Sequence, residues 1–172
     1  MKNIVLIGMP GAGKSTIGVL LAKSMLMDFV DTDLIIQKKY SCSLCDIIER
    51  EGIRRFIEIE DEVISECEFE NCVIATGGSA VYGETAMARL REKGVTVYLE
   101  IPVKELEKRL GNIQTRGVAM KKGTTIEDLL KERSPLYEKY ADITVHCEGL
   151  TAEECVNVIH RSLSQTLRND MQ

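Results

Sequence analysis

The stretch Gly8-Met9-Pro10-Gly11-Ala12-Gly13-Lys14-Ser15-Thr16 decides how the rest of the chain is read. It fills every fixed position of the phosphate-loop pattern G-x-x-x-x-G-K-[ST]. Glycines let backbone N–H groups curl round a phosphate chain with no Cβ in the way. Lys14 brings a positive charge to the outer phosphates, and the Ser15 hydroxyl is a hard oxygen suited to Mg2+. Upstream, Ile4-Val5-Leu6-Ile7 is a short apolar run of the buried-strand type. Downstream, Ile17, Leu20, Leu21 and Met25 share one face of a helix whose positive end points at the same anion. Strand, loop and helix together predict a nucleoside triphosphate site built from Gly11, Ala12, Gly13, Lys14, Ser15 and Thr16.

Outward from this loop the chain alternates strands with helices. Asp28-Phe29-Val30-Asp31, Cys72-Val73-Ile74-Ala75, Val95-Thr96-Val97-Tyr98-Leu99 and Ile143-Thr144-Val145 read as four more strands. Helices are expected at 14–27, 34–40, 44–68 with a break near Gly52, 83–93 ended by Gly94, from Pro102 to about 110, from Thr125 on a capping-box-like pattern, and after Thr151. This order predicts an α/β fold, a parallel sheet covered by helices on both faces. Ligands of such sheets sit at the C-terminal strand edge. The phosphate loop, Asp31, Asp33, Gly77 and Gly78 all fall on that edge. Between Gly111 and Thr124 the chain is polar, contains glycine and keeps no period, which marks a lid.

The 172 residues suit one domain, and no linker or repeat divides them. A formal charge of −5 argues against a nucleic-acid surface, which needs clustered Lys and Arg. No apolar run reaches membrane-spanning length, and Met1-Lys2-Asn3 leads straight into a strand. The expected address is the cytoplasm and the expected state a monomer. Cys42-Ser43-Leu44-Cys45 is a lone C-x-x-C without a second pair at zinc-site spacing, so the six cysteines read as reduced small hydrophobes.

Taken together, the motifs make the chain resemble the shikimate kinase family of small phosphate-loop kinases, nearly end to end. The resemblance rests on GMPGAGKST at 8–16, FVDTD at 29–33, ATGG at 75–78, Arg116 in the lid, and ERSPLYEKYAD at 132–142. It implies a five-stranded sheet in the order 2-3-1-4-5, ATP with Mg2+, transfer to a hydroxyl of shikimate, and a place in aromatic amino-acid biosynthesis. By the same resemblance Lys14 neutralises the transferring phosphate and Ser15 holds the magnesium directly. Asp31 holds the magnesium's waters, and Asp33 accepts or orients the proton of the substrate hydroxyl. Asp also suits a helix N-cap, so Asp33 stands equally where it would cap a helix beginning at Leu34. Arg116 would swing onto the phosphate, Arg133 would grip the substrate carboxylate, and Gly77 and Gly78 would bring backbone donors close.

The departures lie on the acceptor side. Where the family shows G-E-x-x-F-R-x-x-E, this chain has Gly52-Ile53-Arg54-Arg55-Phe56-Ile57-Glu58-Ile59-Glu60, so Ile57 stands in place of a second carboxylate-clamping arginine. Ser79 replaces the third glycine of a triplet, and Gly117 follows Arg116 where a proline is usual. Two readings follow. Arg54, one helical turn before Ile57, restores the clamp, or the pocket takes another alcohol such as a sugar acid (gluconate) or a polyol. A catalytically silent nucleotide-binding module is a third reading, opposed by the intact set Lys14, Ser15, Asp31, Asp33 and Arg116.

Overall fold

The computed structural model describes residues 2–110, 118–121 and 123–169. Five parallel strands form one sheet: β1 (Asn3–Ile7), β2 (Asp28–Asp31), β3 (Cys72–Ala75), β4 (Gly94–Glu100) and β5 (Ile143–His146), in the order β2-β3-β1-β4-β5. The order is the expected one. β1 lies at the centre, with Val5 opposite Ile74 on one side and Thr96 on the other. A central strand covered on both faces needs an unbroken apolar run, and all five residues of β1 are buried. At the edge, β5 alternates buried and exposed residues, as a strand with one wet face must.

The described helices are α1 (Lys14–Met25), α2 (Thr32–Tyr40), α3 (Leu44–Glu66), α4 (Glu84–Lys93), α5 (Val103–Arg109), α6 (Ile126–Tyr140) and α7 (Ala152–Asn169). The expected cap of α6 is present: Thr125 and Asp128 bond each other's backbone N–H reciprocally. The break near Gly52 is real, since this residue at φ 80°, ψ 163° separates two helical segments of α3. Gly94 departs from its expected role. It does not end α4 in a left-handed turn but opens β4 in extended conformation, at φ −142°. There a Cβ would lie 2.9 Å from the Leu90 carbonyl oxygen, so glycine serves close packing of strand on helix.

Two packed clusters make up the core. The larger joins the strands to α1, α4, α6 and α7; the smaller gathers Ile36, Leu44, Ile47, Phe56, Ile59, Val63 and Ala119. Ala119 belongs to the expected lid and already packs against α2 and α3. Of that expectation, residues 111–117, with Arg116, and residue 122 lie outside the described residues.

Candidate active site

The phosphate loop runs from the end of β1 into α1. Gly13 N-caps α1 at φ 91°, a left-handed conformation that disfavours side chains, and no side chain caps the helix. The first-turn N–H groups of α1 are thereby left to an anion. Lys14 folds back on the loop, and its Nζ donates to the carbonyls of Gly8 (2.7 Å) and Met9 (2.9 Å). Burial lowers its pKa to about 8, against the pull of the Asp33 carboxylate and with help from Arg133.

Asp31 and Asp33 leave the end of β2 in different roles. Asp31 is the N-cap of α2: its Oδ1 accepts from the Asp33 N–H at 3.0 Å, and its Oδ2 accepts from the Ser15 hydroxyl at 2.7 Å. The capping function considered for Asp33 thus falls to Asp31, because α2 begins at Thr32 rather than Leu34. Asp33 is released to face the cavity. Burial, with the Asp31 charge beside it, raises its pKa to about 6 while Lys14 opposes the rise. Ser15 and Asp31 offer hard oxygens at one point. No cluster of three or more His, Cys, Asp or Glu exists among the described residues, and Mg2+ needs none, since it keeps waters and substrate phosphates as ligands. Neither Cys42 nor Cys45 is in a disulfide.

The acceptor wall is built by the loop after β3 and by α3 and α6. The Gly77 N–H donates to Thr32 Oγ1 at 3.2 Å, which ties this loop to the start of α2. A Cβ on Gly77 would collide with Glu60 Oε1 and come within 2.8 Å of Asp33 Oδ1, so a larger residue would displace these two carboxylates. Tyr137, fully buried and stacked on Tyr98 with ring centroids 5.0 Å apart, donates its hydroxyl to the Gly78 carbonyl at 2.7 Å.

Arg133 is 1% exposed. Its Nη2 donates to the Ala119 carbonyl at 2.6 Å and its Nε to the Tyr82 hydroxyl at 3.3 Å, while Nη1 is buried with no partner. Glu60, also 1% exposed, accepts from the Ser79 hydroxyl at 2.6 Å through Oε2, and its Oε1 has no partner. Burial raises the Glu60 pKa to about 7; the Ser79 hydrogen bond works against this, and Asp33 adds to it.

Between these elements lies one cavity of about 570 Å³. Of the residues expected from sequence, Gly11, Gly13, Lys14, Ser15, Thr16, Asp33, Gly77, Gly78 and Arg133 line it. Asp31 lies behind Ser15. Ala12 is buried and spends its N–H on the Met9 carbonyl at 3.1 Å, so it does not line the cavity. Arg54 is not brought in: its side chain is 96% exposed and pairs with Glu58 at 3.5 Å. Phe56, Ile59 and Glu60 occupy the buried face of that helical segment, which turns Arg54 outward. Sequence reasoning missed Arg109, which lines the cavity and donates from Nη1 to the Gly11 carbonyl at 3.3 Å. Its only signal was a basic residue in the last turn of α5.

A phosphate loop under a 2-3-1-4-5 parallel sheet, with a buried carboxyl group and an arginine across the same cavity, defines a small-molecule kinase of the phosphate-loop class. The family model described as shikimate kinase matches residues 10–164. The chain belongs to the shikimate kinase family and is an ATP-dependent small-molecule kinase. A shikimate kinase of Francisella tularensis subsp. holarctica is 40% identical over 162 residues, 92% of each chain. The solved shikimate kinase of Acinetobacter baumannii in complex with shikimate superposes with a TM-score of 0.86 at 31% identity, covering 100% of this chain and 96% of that one. That of Aquifex aeolicus gives a TM-score of 0.80 at 35% identity, over 96% and 98% of the two chains.

Proposed function

We propose that the chain transfers the γ-phosphoryl group of ATP to a hydroxyl of shikimate. The observation that carries this reading is the unpartnered Nη1 of buried Arg133, in the wall of the cavity that also holds Lys14 and Asp33. A buried guanidinium N–H without an acceptor is costly, and a planar carboxylate is the ligand that relieves it best.

Asp33 orients the attacking hydroxyl and takes its proton as the new O–P bond forms and the bond from phosphorus to ADP breaks. With a pKa raised only to about 6, Asp33 is mostly ionised at neutral pH and ready for that proton. Lys14 leaves the Gly8 and Met9 carbonyls for the phosphate oxygens and neutralises the charge that builds there. Ser15 and Asp31 would hold a Mg2+ ion, which would supply neutralisation of the phosphate charge. Gly77 and Gly78 bring the acceptor against the backbone. Arg109, beside Gly11, faces the nucleotide end of the cavity.

Residues 111–124 act as the lid: they exclude water, so that the hydroxyl and not solvent is phosphorylated, and they bring Arg116 to the phosphate. Slower hydrogen exchange across 111–124 with both ligands bound is the expected sign of closure, and unchanged exchange contradicts it. Ile57 leaves Arg133 as the carboxylate's arginine, and the loss of a second clamp weakens acceptor binding by about 1.5–3 kcal/mol.

A coupled ADP-release assay with Mg-ATP, comparing shikimate with gluconate and a set of polyols, tests the reading. Turnover on shikimate is expected. Turnover on another alcohol with none on shikimate refutes the acceptor, and ATP binding without turnover on any acceptor refutes the kinase.

A further inference from the structure

Two residues on the acceptor wall remain without a part in the transfer: Ser79 and Glu60. Ser79 lines the cavity yet is only 4% exposed, and it spends its one proton on Glu60 Oε2 at 2.6 Å. A hydroxyl that donates to a carboxylate keeps two lone pairs. Hydrogen bonds in a chain polarise one another, so the Ser79 oxygen becomes the stronger acceptor for it. Glu60 itself does not line the cavity. Its Oε1 is pinned against Gly77, at the point where a side chain would collide with it, and it meets no cation within ion-pair distance among the described residues. The neighbouring Ile57 supplies none. The carboxylate is therefore held by a neutral hydroxyl, and the face this pair turns to the cavity is the Ser79 oxygen.

Resting on the kinase reading above, we propose that Ser79 is a substrate-binding residue that accepts a hydrogen bond from a hydroxyl of the acceptor other than the one phosphorylated, and that Glu60 is the positioning residue that fixes Ser79. The cavity then reads three features of one molecule. Arg133 Nη1 takes a carboxylate, Asp33 takes the reacting hydroxyl, and Ser79 takes a further hydroxyl. The substrate class is a polyhydroxylated carboxylic acid; a monohydroxy acid leaves Ser79 unmatched.

The test crosses residue changes with substrate changes at about pH 8, where Glu60, with its pKa near 7, carries its charge. Wild type, Ser79→Ala, Glu60→Gln and Glu60→Ala are assayed with shikimate and with analogues each lacking one non-reacting hydroxyl. Thermal melts establish that each variant is folded. In wild type, one analogue should show a KM raised at least about tenfold with kcat little changed. Ser79→Ala should raise the KM for shikimate by a similar factor and lose nothing more with that analogue. Glu60→Gln, which keeps an oxygen for Ser79, should retain more of the discrimination than Glu60→Ala. Equal losses in wild type and Ser79→Ala for every analogue overturn the proposal, as does a monohydroxy acid turned over as well as its polyhydroxy counterpart. If shikimate is inert while another polyhydroxy acid is phosphorylated, the shikimate reading fails and the same cycle on that acid decides the role of Ser79.

Discussion

Replacing Glu60 by Gln should remove a loss of stability that the wild-type chain suffers as pH rises. Glu60 is 1% exposed, its Oε1 is unpartnered, and burial lifts its pKa from 4.5 to about 7. A carboxyl group whose pKa is raised by folding favours the folded state fully below its unfolded pKa, and that contribution disappears as pH climbs through the folded pKa. The window therefore runs from about pH 4.5 to just above 7. At about 1.4 kcal/mol per pH unit, the gap between 4.5 and about 7 is worth about 3 kcal/mol. For a chain of this size that is about 6–12 °C in Tm. The assay is differential scanning calorimetry of both proteins without ligands, from about pH 5 to about pH 8 at constant ionic strength. The variant carries its own fixed cost, an amide placed where the carboxyl group was, so the quantity to read is the change of the Tm difference with pH. That difference should move in favour of Glu60→Gln as pH rises. Parallel curves would refute the reasoning, because they would mean that Glu60 is already ionised in the fold at the acid end.

Other consequences are as direct. Arg133→Lys should raise the KM for shikimate about tenfold or more with a smaller change in kcat, because a point charge replaces the fork that ends in Nη1. Arg54→Ala should leave that KM unchanged, since the side chain lies in solvent against Glu58; a strong rise would show that it reaches the acceptor after all. Gly77→Ala should abolish turnover in a chain that still binds ATP, because its Cβ meets Glu60 and Asp33; isothermal titration with ATP separates the two effects. Tyr137→Phe should lower stability by about 1–3 kcal/mol in urea unfolding, as the Gly78 carbonyl loses its buried donor.

The repeating order of strands and helices was legible because its signals are local. A strand inside a parallel sheet must be apolar throughout, as 4–7 is, and a phosphate loop must carry its glycines and lysine at fixed offsets. Lys14, Asp33, Gly77, Gly78 and Arg133 could be picked out for the same reason, since each belongs to a short motif, and the fold brought them to one cavity.

What stayed hidden was every choice made by packing between distant segments. The family resemblance separates Asp31 from Asp33, but the residues of F-V-D-T-D by themselves leave either able to cap a helix. Only the first residue of α2 decides that one caps and the other faces the cavity. Arg54 lies one turn from Ile57 in sequence, but the buried face of α3, through Phe56, Ile59 and Glu60, points it to water. Glu60 falls within the family-like stretch 52–60, but its burial appears only when residues 77 and 79, far along the chain, close over it. The sequence by itself determined the element types, the phosphate site and the residue chemistry, all properties of neighbours along the chain. The tertiary structure alone decided which charged groups lose their water, and that loss is what sets the pKa of Asp33, Glu60 and Lys14.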